Sequence, residues 1–564
     1  MFRDALRREL HDAVARAVAA GALPAVAPLP ELEVEVPRDR RHGDYATNAA
    51  LVLARHTGMP PREVAARLLE AWAPSPDRIA RAEVAGPGFI NLTVAWPWRR
   101  QLVAAILADG DAYGSQPLGR RPDGSRVRVN VEFVSANPTG PLHVGTGRNA
   151  VVGDVVANLL TALGFEVTRE YYINDAGQQV ANLARSVEAH YFAQFGRARP
   201  VPADGYRGQY VVDLARRIAD AEGPVWLERP EPERLEHFRQ VAVDAVVAEI
   251  RDVLARFGVR FDVWYSERAL VASGAVERVV ERLRAGGWVY EAEDKVWFRA
   301  TSFGDEKDRV LWRPDGGWTY FATDLAYHLD KLARGFDLLI DVWGIDHIGD
   351  VARVRGGLQA LGVPPERVEL LIHQHVRLKN EGEVLRMSKR SGEFVTLRDL
   401  IDAVGPDAAR FFYAMTSYTV PMDFDVALAV RHSQDNPVYY VQYAHARIAG
   451  ILREAAAQAR QPAVPANPHA AALAPLEHER EAALIHTLAE FPEVVRVAGL
   501  RREPHRLCAY AREVAEAFHL FYTHCRVLGD DARLAAARLA LVEATRTVLR
   551  RVLGLLGVTA PERM

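Results

Sequence analysis

The chain reads as an α/β protein: a doubly wound parallel sheet split by an insertion, with a small α+β unit before it and an all-α helix bundle after it. Three observations predict this. From Arg126 to about residue 395, apolar strand-like runs alternate with helical segments, the pattern of a parallel sheet covered on both faces. Beyond Gly405 the strand signals fade, and Ala, Leu, Val and Arg recur at helical spacing to the end. The 564 residues, 49% of them apolar and 25% charged, suffice for several cores rather than one.

The elements follow in order. Residues 2–20 form a helix with apolar positions at Leu6, Leu10, Val14 and Val18, ended by the Pro24 to Pro30 stretch. Strands are expected at Glu31 to Val36 and Gly88 to Val94, within an N-terminal α+β domain of residues 1–105. Residues 106–125 read as a linker, with Gly114 to Gly124 rich in Gly, Pro and Arg. The sheet domain spans 126–395, with strands at Val127 to Val134, Glu166 to Ile173, Phe336 to Trp343 and Val368 to Val376. A helix-rich insertion at about 196–300 carries Pro200, Pro202, Pro230 and Pro232 in its loops. Connecting helices fill 396–435, and 436–564 is the bundle.

Composition bounds the chemistry. Seventy basic and 73 acidic residues leave a formal charge of −3, so any polyanion site must be a local patch. From Tyr440 onward sixteen Arg and no Lys stand against thirteen acids, a slight positive excess that permits RNA contact. Cys508 and Cys525 are too few for a disulfide framework or a four-thiolate metal site, which predicts a reducing, cytoplasmic setting. No signal-peptide core and no membrane-length apolar run is present. Lysine occurs only at 295, 307, 331, 379 and 389; four of these read as compositional drift, while Lys389 marks a place for a compact ammonium.

Two stretches carry chemistry. In Val131-Glu-Phe-Val-Ser-Ala-Asn-Pro-Thr-Gly-Pro-Leu-His-Val-Gly-Thr-Gly-Arg148 a strand runs through a loop into a helix starting near His143. Such a helix start collects free N–H groups and a positive dipole end that suit a phosphate. Gly145 and Gly147 would let a nucleotide approach the backbone, and His143 would donate to a phosphate oxygen. The same glycines fit a nicotinamide-dependent dehydrogenase, with Glu166 at a suitable distance, but there they should follow the strand directly, without Pro138 and Pro141 between. The second stretch, Val384-Leu-Arg-Met-Ser-Lys-Arg-Ser-Gly-Glu393, is a basic loop after the last parallel strand. Ligands of open parallel sheets sit outside the carboxyl ends of the strands, so both stretches should face one crevice, with Lys389 reaching a phosphate chain. Tyr320, Asp324, Tyr327 and His328 fall on one helical face, and polar groups on a would-be buried stripe argue for a lined pocket.

The pair His143-Val-Gly-Thr146 and Arg386-Met-Ser-Lys-Arg390 resembles the two signatures of class I aminoacyl-tRNA synthetases. Tyr172-Ile-Asn-Asp-Ala-Gly-Gln-Gln179, Thr319-Tyr-Phe-Ala-Thr-Asp-Leu-Ala-Tyr-His328, Gly344-Ile-Asp-His347, Gly405-Pro-Asp-Ala-Ala-Arg410, the Asn436 to Arg447 segment and Gly86-Pro-Gly-Phe-Ile-Asn91 are similar to the arginyl-tRNA synthetase family. The resemblance implies a Rossmann-like catalytic domain that joins L-arginine to tRNA(Arg) through an arginyl-adenylate. ATP, with Mg²⁺ accompanying it, would be a substrate, and the protein would work as a monomer with no resident metal or prosthetic group. It implies catalytic roles for His143 and Lys389, and ATP contacts from His143, Gly145, Thr146, Gly344, Asp346, His347, Met387 and Lys389. Arginine would meet Glu132, Ser135, Asn137, His143, Tyr320, Asp324, Tyr327 and Asp346, with Asp324 facing the guanidinium. Phe89, Asn91, Tyr440, Tyr443, His445, Arg447 and Met564 would meet tRNA. Thr146 stands where the first signature has its second His, and Arg386 where the other has its first Lys. A catalytically silent tRNA-binding relative is the alternative those departures leave.

Overall fold

The computed structural model describes residues 2–384, 396–457 and 470–564. Helix α1 (Phe2–Ala19) turns Phe2, Leu6, Leu10 and Val14 inward, and α2 (Ala49–Thr57) and α3 (Pro61–Trp72) complete the helical layer. Beneath it lies an antiparallel sheet, β1 (Tyr45–Thr47), β2 (Ile79–Ala85) and β3 (Phe89–Val94), in the order β1-β3-β2. The strand expected at Glu31 to Val36 is reduced to one bridge, Glu35 with Ala46. Leu32 and Val34 do alternate inward, but Pro30 and Pro37 bracket the run and limit any ladder. Strand β2 went unforeseen because Ile-Ala-Arg-Ala-Glu-Val-Ala has weak strand propensity, and its pairing with β3 follows from the tight Gly86-Pro-Gly88 turn. Helix α4 (Trp96–Asp109) leads out of this unit.

The central sheet is parallel throughout. It opens with β4 (Arg128–Glu132), α5 (Val144–Ala162) and β5 (Glu166–Ile173), then passes through α6 (Gly177–Gln194), α7 (Gln209–Glu222) and α8 (Glu231–Arg256) to β6 (Val263–Ser266). Helices α9 (Glu267–Ala272) and α10 (Ala275–Ala285) precede an antiparallel sheet of β7 (Val289–Ala292), β8 (Lys295–Phe298), β9 (Arg309–Arg313) and β10 (Gly317–Trp318). The chain then returns as α11 (Tyr320–Ala333), β11 (Leu338–Gly344), α12 (Ile348–Ala360) and β12 (Val368–His373). Strand order β12-β11-β4-β5-β6 puts the topological switch between β4 and β11, where the crevice of such a sheet opens. The four-residue edge strand β6 is too short to stand out in a helix-rich stretch.

The fourth expected strand divides. It ends at His373, and Val376–Asn380 forms β13, which joins β14 (Glu383–Val384) and a later strand in a separate small sheet. Helices α13 (Leu397–Val404) and α14 (Pro406–Met415) lead to that strand, β15 (Met422–Asp425), where only helix was expected; its Met422 and Phe424 point inward at the period of two. After α15 (Val426–Ala429) come the bundle helices α16 (Pro437–Ala457), α17 (Glu479–Ala489), α18 (Phe491–Arg501), α19 (His505–His524) and α20 (Ala532–Leu556).

Helix α5 is buried on nearly every side because it lies between the sheet and helices α14, α18 and α20. Gly153 lets it approach the end of β4, since a Cβ there would meet Phe133 at 2.2 Å. One core cluster runs through the N-terminal unit, α5 and the bundle, and a second underlies α10, α11 and α12. Among the described residues no helix is long and apolar enough to cross a membrane.

Candidate active site

A cavity of about 340 Å³ opens at the carboxyl ends of β4 and β11. Its wall begins where β4 breaks: Val134 and Ser135 have φ of +67° and +40°, a costly region for a β-branched residue. The break is held by Asn149 of α5, whose Oδ1 accepts from the Val134 N–H at 2.6 Å while its Nδ2 donates to the Val342 carbonyl of β11 at 2.8 Å. Ser135 thereby turns its hydroxyl to donate to Glu132 Oε1 (2.8 Å) and accept from the Tyr172 N–H (3.1 Å).

Below the cavity lies a chain of buried charges. Lys331 Nζ donates to Glu132 Oε2 at 2.5 Å and to Asp341 Oδ1 at 2.8 Å, and Asp341 Oδ2 lies 2.7 Å from His328 Nε2. His328 Nδ1 donates to the Asp324 carbonyl at 2.7 Å, so both ring nitrogens face acceptors, the arrangement of an imidazolium. Burial is the largest influence and opposes charge on His328 and on Lys331. Their acceptors together, Asp341 with the Asp324 carbonyl for the one and Asp341, Glu132 and Glu170 for the other, leave both pKa values raised. Burial would lift Asp341, yet Lys331 and His328 hold it well below the usual carboxylate range. Glu132 goes the other way, burial raising it more than Lys331 lowers it. Lys331, fully buried, thus corrects its reading as compositional drift.

Two acids lack such partners. Burial pushes Asp324, in the cavity wall, up to about 6. Its side chain makes no ion pair among the described residues. Burial, and then the Asp324 charge, push Glu267 at the start of α9 up to about 7, and its Oε2 has no hydrogen-bond partner among those residues. The buried Tyr172 hydroxyl is likewise unpartnered. Glu267 does accept from the Thr323 hydroxyl and the Ala176 N–H and is not among the residues lining the cavity. The acid that faces the cavity without a cation is therefore Asp324, which a cationic ligand carrying several N–H groups would satisfy.

Of the residues expected at arginine, Glu132, Ser135, Asn137, Tyr320, Asp324 and Tyr327 line this one cavity. Asn137 donates from Nδ2 to Gln179 Oε1 at 2.8 Å, and Tyr320 stands 57% exposed at the mouth. Tyr327 contributes its ring, stacked on Tyr172 at 4.2 Å; its hydroxyl is donated to Glu170, which Arg334 grips through both nitrogens. Gly344 and His347 line the cavity too, whereas His143, Gly145, Thr146 and Asp346 do not. Asp346 folds back over Gly344, where a Cβ would meet its Oδ1 at 2.3 Å.

His143 is the exposed N-cap of α5, its Nδ1 accepting from the Gly145 N–H at 3.2 Å. Partial burial lowers its pKa. A Cβ at Gly145 would make only an ordinary contact with His143 Nδ1 at 3.5 Å, but Gly147 is a packing position, where a Cβ would meet Tyr413 at 2.7 Å and Leu397 at 2.8 Å. Met387 and Lys389, with Arg386, lie outside the described residues. The chain beyond them returns onto the helix start: Thr396 bridges His143, and the Leu397 N–H donates to the Leu142 carbonyl at 2.8 Å.

Farther away, Tyr443, Arg447 and Met564 line a common groove on the bundle, and Arg447 lies 4.9 Å over the Tyr522 ring. Tyr440 packs against His519. His445 is corrected: it is 1% exposed and bound through Nδ1 to the Pro561 carbonyl at 2.8 Å, so it ties down the C-terminal tail instead of presenting a ring to RNA. In the N-terminal unit Phe89 is half-buried and Asn91 buried in β3, leaving Asn91 little surface to offer.

A parallel sheet broken at its switch point, a helix start beside it and a returning chain docked on that start together define a class I tRNA synthetase. The family model described as tRNA synthetases class I (R), catalytic domain, matches residues 105–412. Residues 3–94 match the arginyl tRNA synthetase N terminal domain and 441–564 the DALR anticodon binding domain. The chain is 48% identical over 559 residues to the arginine–tRNA ligase of Moorella thermoacetica, covering 99% of this chain and 98% of that one. It is 46% identical over 570 residues to the arginine–tRNA ligase of Heliobacterium modesticaldum, covering both in full. The Thermus thermophilus arginyl-tRNA synthetase structure shares the fold, with a TM-score of 0.74 over 99% of this chain and 100% of that one at 24% identity. The chain belongs to the arginyl-tRNA synthetase family.

Proposed function

We propose that the protein attaches L-arginine to tRNA(Arg) at the expense of ATP, working as a monomer in the cytoplasm. First, a carboxylate oxygen of arginine attacks the α-phosphorus of ATP; the bond to the β-phosphate oxygen breaks and its electron pair leaves with pyrophosphate. Then a ribose hydroxyl of the terminal adenosine attacks the arginyl carbonyl, its proton is lost, and AMP leaves. The protein's part is positioning and charge placement. Asp324 and Glu267 take the guanidinium, and Glu132, Ser135 and Asn137 hold the ammonium and carboxylate end. His143 and the N–H groups near Gly145 meet the triphosphate, with Lys389 supplying the mobile cation. Mg²⁺ would accompany the triphosphate as part of the ATP substrate.

What carries this reading is the pair of buried, cation-free acids: Asp324, raised to about 6, and Glu267, raised to about 7, beside an unpartnered tyrosine hydroxyl. An uncharged side chain would leave both acids uncompensated, and a lone ammonium fits a two-carboxylate fork less well than a guanidinium. The test is charging of tRNA(Arg), and pyrophosphate exchange in its presence, with arginine, lysine and citrulline. Charging with arginine alone is expected. Tight tRNA binding with no exchange for any amino acid would overturn the assignment and leave a silent RNA-binding relative.

A further inference from the structure

Residues 133–142 join β4 to α5 without helix or strand, yet this stretch carries Asn137 of the cavity wall and leads directly into His143. Pro138 and Pro141 each lack an N–H, so the stretch has too few donors of its own to serve its carbonyls. Three tyrosine hydroxyls meet that need, each from a different element. Tyr171 of β5 donates to the Ala136 carbonyl at 2.9 Å, Tyr210 of α7 to the Thr139 carbonyl at 2.5 Å, and Tyr413 of α14 to the Val144 carbonyl at 2.6 Å. The first two contacts bracket Asn137, and the third lies one residue past His143. Burial raises the pKa of all three hydroxyls, that of Tyr210 to about 12, so each stays a neutral donor near pH 7.

Tyr171 and Tyr413 are fully buried, the one stacked on Trp264 and the other tilted against Phe424, and core packing alone accounts for their rings. Tyr210 differs. It comes from the helical insertion, and its ring rests against that insertion's own core, which includes Val211, Leu214 and Phe238. The hydroxyl end reaches Gly140, where a Cβ would meet its Oη at 3.1 Å and its Cζ at 3.3 Å. Bare backbone at 140 thus lets the tyrosine lie against the loop. We propose that Tyr210 is a positioning residue for adenylate formation, holding the loop so that Asn137 and His143 keep a fixed separation while arginine and ATP react. A group displaced by about 1 Å can cost on the order of a hundredfold in rate. The proposal rests on the ligase reading and gives the insertion a task in the first step.

The test uses the full-length protein carrying Tyr210→Phe, which keeps the ring and removes the donor, in pyrophosphate exchange with tRNA(Arg) present. The kcat should fall at least tenfold, about 1.4 kcal/mol. The KM values for arginine and ATP should stay within about threefold, the mark of a loss felt in the transition state. Thr139 is half-buried, so water can replace the lost donor, and the urea midpoint and tRNA affinity should hold. Gly140→Ala pushes a methyl group against the same ring and should slow exchange as well. Both changes break one contact, so the double variant should be no more than about twofold slower than the slower single. An unchanged kcat, a loss carried by KM alone, a parallel loss of tRNA affinity, or single losses that multiply in the double variant overturns the proposal. A fall in kcat matched by a lower urea midpoint assigns Tyr210 to the fold and overturns it too. A wild-type protein that exchanges no pyrophosphate with arginine would instead sink the ligase reading.

Discussion

Replacing Asp324 by Asn keeps the shape of the cavity wall and removes its charge, and the consequences have opposite signs with and without arginine. In the empty protein the carboxyl titrates near 6 against an ordinary 3.8. At about 1.36 kcal/mol per pH unit, its ionised form costs the native state on the order of 3 kcal/mol at pH 7.5. Because the folded pKa is raised, that cost is absent below about pH 4 and complete only above the folded value near 6. Asp324→Asn should therefore shift the urea midpoint of the arginine-free protein upward at pH 7.5, and the gain should shrink toward pH 5. With arginine the balance reverses, since removing one partner of a buried ion pair costs roughly 3–5 kcal/mol. The lower figure corresponds to a roughly 150-fold rise in KM for arginine. Pyrophosphate exchange with tRNA present measures it, and the KM for ATP should stay within about threefold, a residual of less than 1 kcal/mol. Matched losses for arginine and ATP, or a variant less stable when empty, would remove Asp324 from the guanidinium pocket.

Three further outcomes are expected. The KM for arginine should fall as pH rises from 5 to about 7.5, because Asp324 near 6 and Glu267 near 7 must lose their protons before pairing with a cation; a flat profile would deny them that role. Lys331→Met leaves Glu132 and Asp341 without their shared cation, so a destabilisation of about 3–5 kcal/mol by urea unfolding is expected, and an unchanged midpoint would mean that the ammonium contributes nothing. Lys389→Ala should slow adenylate formation at least tenfold, about 1.4 kcal/mol, with tRNA affinity nearly unchanged; an equal rate would refute its role.

The convergence of the cavity's lining was legible in the sequence where its residues lie on strand ends and one helix face. Glu132 and Ser135 close a buried apolar strand, and Tyr320, Asp324 and Tyr327 repeat at helical spacing, so local periodicity alone brings them to one side. Lys331 lies on that same face, eleven residues after Tyr320, and its rarity as a lysine was a signal; what local pattern could not supply was the partner, Asp341, which arrives on the neighbouring strand. Glu267 had no signal at all. It opens a six-residue helix behind an edge strand, and only the crossing of β6 and α9 toward α11 gives it meaning. His445 failed for the opposite reason: its neighbours Tyr443 and Arg447 are accessible, but the bundle turns position 445 inward onto the tail at Pro561.

The described residues on either side of positions 385–395 are held by different devices, and both converge on α5. Strand β14 lies on β13, and β13 pairs in parallel with β15. Arg148, fully buried one turn beyond His143, donates to the carbonyls of Gln374, Ser417 and Val420, which lead into those same strands. A guanidinium buried on carbonyls alone is expensive, and burial lowers its pKa to about 10. That cost is tolerable where two chain segments, at Gln374 and at Ser417 to Val420, must keep a fixed distance from one helix. The other end closes on the helix start itself, through Thr396 against His143. Movement of α5 along its axis would therefore shift both anchors together, along with Asn149 and the break in β4 that shapes the arginine cavity. The same helix carries Asp154, which, with the Leu556 and Phe257 carbonyls, holds buried Arg410. Arg410 thus ties the end of α20, through the Leu556 carbonyl, to α5, the helix that also carries His143 at its start and Asn149 beside the cavity.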